Sequence, residues 1–515
     1  MASQLHTNSK RIATNSLYLY FRMLLLMVVS LFTTRVVLQS LGVQDYGIYN
    51  VVGGIIAMFG IIRGGLSDAS QRFLTFEIGL GENGNPQRIF SGCIELHFVL
   101  GIIIVLLAEP IGLWFLYNKL QIPEQRLDAA FWVFQISVIS AFIIFVSIPY
   151  NSLIIAHERM KAFAMITIIE AGLKLFIAYA ILLIDNGDRL IVYAVLILFV
   201  QIINRFCYTI YSHRHFKESR FKFVFDLGFF RQIGGFAFWA LFGNMAYVLV
   251  NHGLNLLLGT FFLPVVNAAR GISVQVQGAV DRFVSGFQTA VNPQITKYYA
   301  SGSLQEMKQL VFRSSKMSVF LLLLPIIPIW LEVDYLLSFW LTKVPAYTSG
   351  IIRCLLIVTL FNALSYPLSV AAKATGNIKL FESTVVATKL MVLPLSYVIL
   401  RYGCSPIAVF VVYVIVYLMS LVVNLLVSRK LFTLSLSSYF KAVIGPIMVV
   451  LSVSVLCPIL LFVLMPDSFF RFLLIVLLSL LITSFSIYYF GMSQVEKLWL
   501  KKMLYAKLSK KVLKK

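Results

Sequence analysis

Along this 515-residue chain, apolar runs of roughly 20 residues alternate with short basic, polar or turn-forming stretches. That is the length a helix needs to cross the hydrocarbon core of a bilayer. The punctuation predicts fourteen spans, at residues 14–38, 46–66, 89–116, 130–152, 162–184, 190–211, 233–258, 261–290, 316–341, 350–372, 379–400, 406–428, 440–464 and 469–490. Short strands of alternating polarity are absent. Unpaired backbone groups are not tolerated in hydrocarbon, so an all-α integral membrane bundle is the expected class. Lys10 and Arg11 precede the first run as in a signal peptide, but no small-residue cleavage site follows. A retained first helix is therefore expected.

Several spans are polar on one side. Asn15, Tyr18 and Arg22 share a face of the first, and Asn244, Tyr247, Asn251 and Asn255 recur along the seventh. Asn267, Arg270, Gln277, Asp281, Ser285 and Gln288 make a stripe at helical spacing on the eighth. Such faces are costly against lipid and are expected to look into the bundle, either as hydrogen-bonding glue or as the lining of a wet cavity. Arg22, Lys174, Arg270 and Lys389 fall near mid-span, where a cation costs roughly 2.5–3.5 kcal/mol on the insertion scale. Arg35, Arg63, Arg205 and Arg353 lie closer to span ends and are expected to reach an interface. Glu170 and Lys174 are spaced i,i+4 with the acid first, which favours a neutralising pair and leaves gating or ion coupling as the lesser alternative. Arg22, Arg270 and Lys389 show no partner at that spacing, and together they would cost on the order of 8–10 kcal/mol against lipid. A hydrated cavity that receives an anion accounts for them better than lipid contact does.

Composition and charge sharpen this picture. Apolar residues make up 60% of the chain and charged residues only 12%, against about 25% charged in soluble domains. With the N-terminus inside, the predicted cytoplasmic segments hold 28 Lys and Arg and the outer loops hold six. This asymmetry fixes fourteen spans with both termini cytoplasmic. The basic tail from Lys497 to Lys515 carries interleaved Leu498, Trp499, Leu504, Tyr505 and Leu508. It reads as a solvated, topology-fixing end or as a helix on anionic lipid. No loop is long enough for a soluble domain, which removes nucleic acid as a partner. The five cysteines show no CxxC spacing, so neither a metal site nor a disulfide framework is indicated. Walker, GxSxG and HExxH motifs are absent, no cofactor is implied, and an enzyme is not expected.

A weak internal repeat relates Leu41-Gly42 to Leu258-Gly259, Asn50 to Asn267, and Gly54 to Gly271 at one offset. Duplicated six-helix bundles are a common transporter plan. The Asn15-Ser16 opening, the Leu41-Gly42-Val43-Gln44-Asp45-Tyr46-Gly47-Ile48-Tyr49 turn and Arg63-Gly64-Gly65-Leu66 resemble the start of bacterial polysaccharide exporters. These are the O-antigen and lipid-linked oligosaccharide flippases of the multidrug/oligosaccharidyl-lipid/polysaccharide (MOP) superfamily. The resemblance implies two six-helix lobes, residues 1–215 and 216–430, forming a V around a central cavity. Two further helices at 431–492 and a basic tail at 493–515 would complete the chain. It also implies a bacterial inner-membrane flippase that moves undecaprenyl-pyrophosphate-linked oligosaccharide between leaflets by alternating access. Its partners would be the lipid-linked oligosaccharide, membrane lipids, and the polysaccharide polymerase and chain-length machinery. Arg22, Arg270 and Lys389 are the matching candidates for a cationic cavity.

Three alternatives compete with that reading. A cation-coupled multidrug exporter of the same superfamily would rely on a first-lobe carboxylate, and the first span has none. A peptidoglycan-precursor flippase would share the architecture. A membrane glycosyltransferase or polymerase would need a large outer loop or an acidic motif, and neither is present. The topology is directly testable: a fluorescent protein fused after Lys515 should fluoresce, while alkaline phosphatase fused there should be inactive. The reverse pattern would contradict two cytoplasmic termini.

Overall fold

The computed structural model describes residues 2–498, apart from 58–59, 119, 121, 184–186, 224–226, 263, 342–343 and 495. The tail beyond Leu498 and the side chains of Arg35, Asn50, Gly54 and Tyr247 lie outside the described residues. The described chain is helical throughout. Its longer helices are α1 (Ala2–Ala57), α2 (Gly60–Gly79), α3 (Pro86–Asn118), α4 (Leu127–Ala156), α5 (Met160–Ala180), α6 (Arg189–His215), α7 (Leu227–Phe261), α8 (Pro264–Ala300) and α9 (Leu304–Leu331). They continue as α10 (Val333–Trp340), α11 (Thr348–Ala374), α12 (Ile378–Leu390), α13 (Val392–Arg401), α14 (Pro406–Phe432), α15 (Leu436–Tyr439), α16 (Gly445–Leu464) and α17 (Phe469–Ser486). Among the described residues, eleven helical stretches are long and apolar enough to cross a membrane. The protein is a multi-pass membrane protein.

The expected spans that differ do so for identifiable reasons. Span one and the first part of span two run through α1, broken at Gly42, whose φ of 75° and ψ of 170° interrupt the helix, and the rest of span two lies in α2. A positive φ of that kind favours glycine. The proposed repeat does not keep this break, because Gly259 stays helical inside α7. A side chain on Gly259 would meet the Asn267 amide at 3.1 Å, so close approach is what this glycine serves. The eighth span extends to a 37-residue helix, and the eleventh divides into α12 and α13 at Met391.

Contacts gather the chain into two compact units, residues 15–245 and the chain from Ala246 onward together with the segment up to Thr14, with divisions inside α1 and α7. In the first unit, α3, α4 and α6 enclose Leu116, Val133, Phe134 and Leu190, all fully buried. Gly112 lets α3 press on the Phe134 ring, which lies 2.3 Å from where a Cβ would stand. One end of the unit is held by Arg126, which joins three connections. Its Nε donates to Asp45 Oδ1 at 2.8 Å, and its Nη1 donates to Asp188 Oδ2 at 2.6 Å. Asp45 belongs to the turn that carries the sequence resemblance, while Asp188 caps α6 by accepting from Leu190 N at 2.9 Å. Burial opposes ionisation of Asp188, but the Arg126 bond and the capping amides hold its carboxyl below the usual range.

In the second unit α9 is the pillar. About midway along it, Lys316 donates to Glu496 at 2.9 Å, and at its C-terminal end Glu332 accepts two bonds from Arg471 at 2.7 and 2.9 Å. The sixteen-residue separation of Lys316 and Glu332 corresponds to about 24 Å of helix, close to the thickness of the hydrocarbon core. Both ends of the α16–α17 hairpin region are thereby tied to α9. Burial opposes ionisation of Glu496, yet Lys316, the Ser493 amide and Arg313 lower its pKa below the ordinary 4.5. That stabilisation is complete above the unfolded value and is lost as pH falls through the lowered one.

The Glu332 carboxylate is 1% exposed, so removing its partner should be costly. Arg471→Ala is expected to destabilise by about 3–5 kcal/mol, and a paired Glu332→Leu/Arg471→Met variant by much less. Thermal unfolding in detergent compares the two, and equal losses would contradict a role for the stranded charge.

Candidate functional site

The first unit assembles a polar cluster from three helices. Glu170 on α5 accepts from Lys174 Nζ at 2.6 Å and from Asn204 Nδ2 on α6 at 2.9 Å. The i,i+4 pair expected from the sequence forms, but it has a third member. Arg22 on α1 stands over the Phe163 ring at 4.5 Å, within electrostatic reach of Glu170 and Tyr208. Its buried Nε has no hydrogen-bond partner among the described residues. The cluster is therefore two cations, one carboxylate, an amide and a phenol. The signal for Asn204 was an amide inside an apolar span, next to Arg205.

Other polar residues of this unit serve packing. Asn15 is buried and donates to the Glu158 carbonyl at 3.1 Å, tying α1 to the α4–α5 turn. Asn244 lies against Gly64, its amide 3.0 Å from where a Cβ would stand. Tyr18 is half-buried. Arg205 does not reach outward as expected. Its guanidinium lies 4.1 Å from the centroid of the Tyr150 ring, where stacking is the nearer source of stabilisation. Arg63 is exposed. Buried His97 on α3, which the pattern reading missed, contacts the Cys93 carbonyl at 2.7 Å through Nδ1.

The second unit orients Arg270. This residue is 5% exposed. Its Nη1 donates to Asn255 Oδ1 and its Nη2 to Asn251 Oδ1 at 2.9 Å. The i,i+4 spacing of the two asparagines puts both amides on one face of α7, matched to the fork of one guanidinium. Sequence reading left these asparagines as hydrogen-bonding glue or cavity lining, and the structure makes them the cradle of Arg270. Asn267, one turn earlier on α8, has a buried Oδ1 without a hydrogen-bond partner among the described residues. The Tyr247 side chain lies outside the described residues.

Farther along α8 the stripe turns to other helices. Gln277 donates to Thr359 Oγ1 at 3.1 Å, and Asp281 hydrogen-bonds the same buried hydroxyl on α11. Gln288 reaches Ser318 of α9 at 3.3 Å, and Asn292 donates to the Tyr366 hydroxyl at 2.9 Å. The stripe is thus interhelical hydrogen bonding along much of its length. Lys389 on α12 meets the Tyr417 ring of α14 at 5.2 Å and interacts electrostatically with Glu382 and Lys373. Tyr417 and Glu382 are therefore attractive partners that sequence spacing did not show, while Lys373 opposes its charge. Arg353 pairs with Asp334 at 2.9 Å near a helix end, as its position suggested. No three His, Cys, Asp or Glu side chains converge as a metal site among the described residues.

No protein-family model matches the chain, and no curated protein matches it in sequence. Solved structures do share its fold. A MATE crystal structure in the bent conformation superposes with a TM-score of 0.72 at 14% identity, covering 84% of this chain and 96% of its own. The outward-facing conformation of a multidrug resistance MATE family transporter of the MOP superfamily gives 0.70 at 14% identity, covering 82% and 95%. A MOP superfamily transporter from Pyrococcus furiosus Vc1, described as having a binding pocket of reverse polarity that suggests a different function, gives 0.67 at 14%, covering 84% and 96%. The chain has the all-helical fold of these transporters.

The cradle can be tested by a double-mutant cycle. Asn251→Ala and Arg270→Ala should each destabilise by about 1–3 kcal/mol, with a coupling energy of about 0.5–3 kcal/mol between them. Thermal unfolding measures both quantities, and additive losses would show that the asparagine does not orient the arginine.

Proposed function

We propose that the protein is a transporter that translocates a pyrophosphate-linked lipid carrying an oligosaccharide, for cell-surface polysaccharide synthesis. The observation that carries the reading is the Arg270 cradle: two amide oxygens orient a buried guanidinium between α7 and α8, about two turns from their connection. A planar guanidinium suits phosphate oxygens, and charge-assisted bonds to phosphate are the stronger class. Arg22 supplies a second cation in the other unit, held against an aromatic ring with an Nε left to donate. The Pyrococcus furiosus relative in fold supports the view that this scaffold accommodates pockets of differing polarity.

A second reading is a cation-coupled multidrug exporter. Solved neighbours described as multidrug transporters favour it. So does Glu170, a first-unit carboxylate in a polar cluster, because the sequence argument against this reading rested on the absence of an acid in the first span.

The two readings separate in cells whose surface polysaccharide depends on this protein. Arg22→Ala and Arg270→Ala proteins, inserted at normal levels, should lower that polysaccharide about tenfold or more, as expected for losing a charge-assisted contact. Lysine at either position should restore only part of it. Full polysaccharide from both alanine variants would overturn the proposal, and drug tolerance that falls with Glu170→Gln while polysaccharide is unaffected would favour the exporter.

A further inference from the structure

The connection from α6 into α7 is built as a strap across one end of the first unit. Phe216 is buried and stacks on His157, with centroids 4.2 Å apart and planes at 12°. His157 Nε2 pairs with the Glu218 carboxylate. Ser219 is fully buried, and its hydroxyl donates to the Phe216 carbonyl at 2.7 Å. Gln87 of α3 donates to the Arg220 carbonyl at 3.0 Å, and the Lys222 amide donates to the Ser91 hydroxyl at 3.0 Å. Four contacts therefore fix residues 216–222 to the α3 and α4–α5 ends, and the Ser219 bond braces the strap internally.

What the strap turns outward is of one kind. Arg214, Lys217, Arg220 and Lys222 are exposed, and between them Phe221 and Phe223 are 48% and 75% exposed. The one acid from 214 to 223 is Glu218, and it is turned inward onto His157. Arg88, Arg159 and Lys161, at the neighbouring helix ends, are exposed as well. The adjoining α2–α3 turn contributes Glu77, which accepts from the Asn85 amide at 2.7 Å, and exposed Glu82. The strap joins the ends of membrane-spanning helices, so its cations lie at headgroup level. Aromatic rings interleaved with Lys and Arg at that level are the chemistry of anionic-lipid contact.

We propose that residues 214–223 form a preformed docking surface for anionic lipid headgroups. The anchors settle the strap's conformation beforehand, so little ordering cost remains when lipid binds. The site is independent of the substrate reading, since it uses neither Arg22 nor Arg270.

The test uses full-length protein in nanodiscs of phosphatidylcholine, with or without phosphatidylglycerol. Amide exchange across 214–223 should slow severalfold with phosphatidylglycerol and by far less with inorganic phosphate added to phosphatidylcholine discs. Native mass spectrometry should show a Lys217→Gln/Arg220→Gln/Lys222→Gln protein retaining severalfold less phosphatidylglycerol, and a Phe221→Ser/Phe223→Ser protein showing an intermediate loss. Unchanged exchange between the two lipids overturns the proposal without needing any variant. Equal protection by free phosphate, or wild-type retention by the triple variant, overturns it too.

Discussion

Hydrocarbon gives a charged side chain almost no solvation, so every cation inside this bundle has to be met by something within reach of its own helix neighbours. Arg270 has two asparagine oxygens, Lys389 has a tyrosine ring and the Glu382 carboxylate, and Lys174 has Glu170. Arg471 is locked to Glu332 by a two-pronged bond. Much of the specific helix pairing follows from these demands. Apolar contact alone discriminates weakly between neighbours when the surrounding lipid is equally apolar.

The partners are not equivalent, and their differences sort structure from function. A bidentate bond to a buried carboxylate neutralises Arg471 and fastens α17 to the end of α9, a structural task. Arg126 does the same for three connections at one end of the first unit. Amide oxygens and aromatic faces orient a cation by dipole and quadrupole, without bringing a formal negative charge of their own. Arg270 and Arg22 are held in this second manner, Arg22 with Glu170 at longer electrostatic range. That contrast separates the arginines that staple the bundle from those suited to meet an anion.

Much of the helical layout was legible in the sequence because lipid imposes one crude rule, about 20 apolar residues per crossing. Intrahelical chemistry was legible as well: the Glu170–Lys174 spacing names its own pair. Partners on different helices were not. Nothing along the chain says that Asn251 and Asn255 face Arg270, although their recurrence marked a polar face on the seventh span. Asn204 completing the Glu170 pair and Thr359 receiving both Gln277 and Asp281 depend on helix packing, which hydrophobic periodicity does not encode. Arg205 was misjudged for a related reason. Nearness to a span end suggested an interface, whereas a tyrosine on α4 lay closer. The Gly42 motif was recognisable by its letters, and its physical roles, a positive-φ break and an acid for Arg126, needed the third dimension.

The central claim is that arginines oriented by amide oxygens and an aromatic ring bind a phosphate-bearing lipid. Its most direct measurement is the affinity of the purified protein for a short prenyl pyrophosphate, beside the matching prenyl alcohol and a lipophilic cation, repeated with Arg270→Ala. The account predicts that the pyrophosphate binds at least about tenfold more tightly than the alcohol, a difference of ~1.4 kcal/mol, and that the substitution removes most of this margin. Equal binding of pyrophosphate and alcohol, or preference for the lipophilic cation, would contradict it.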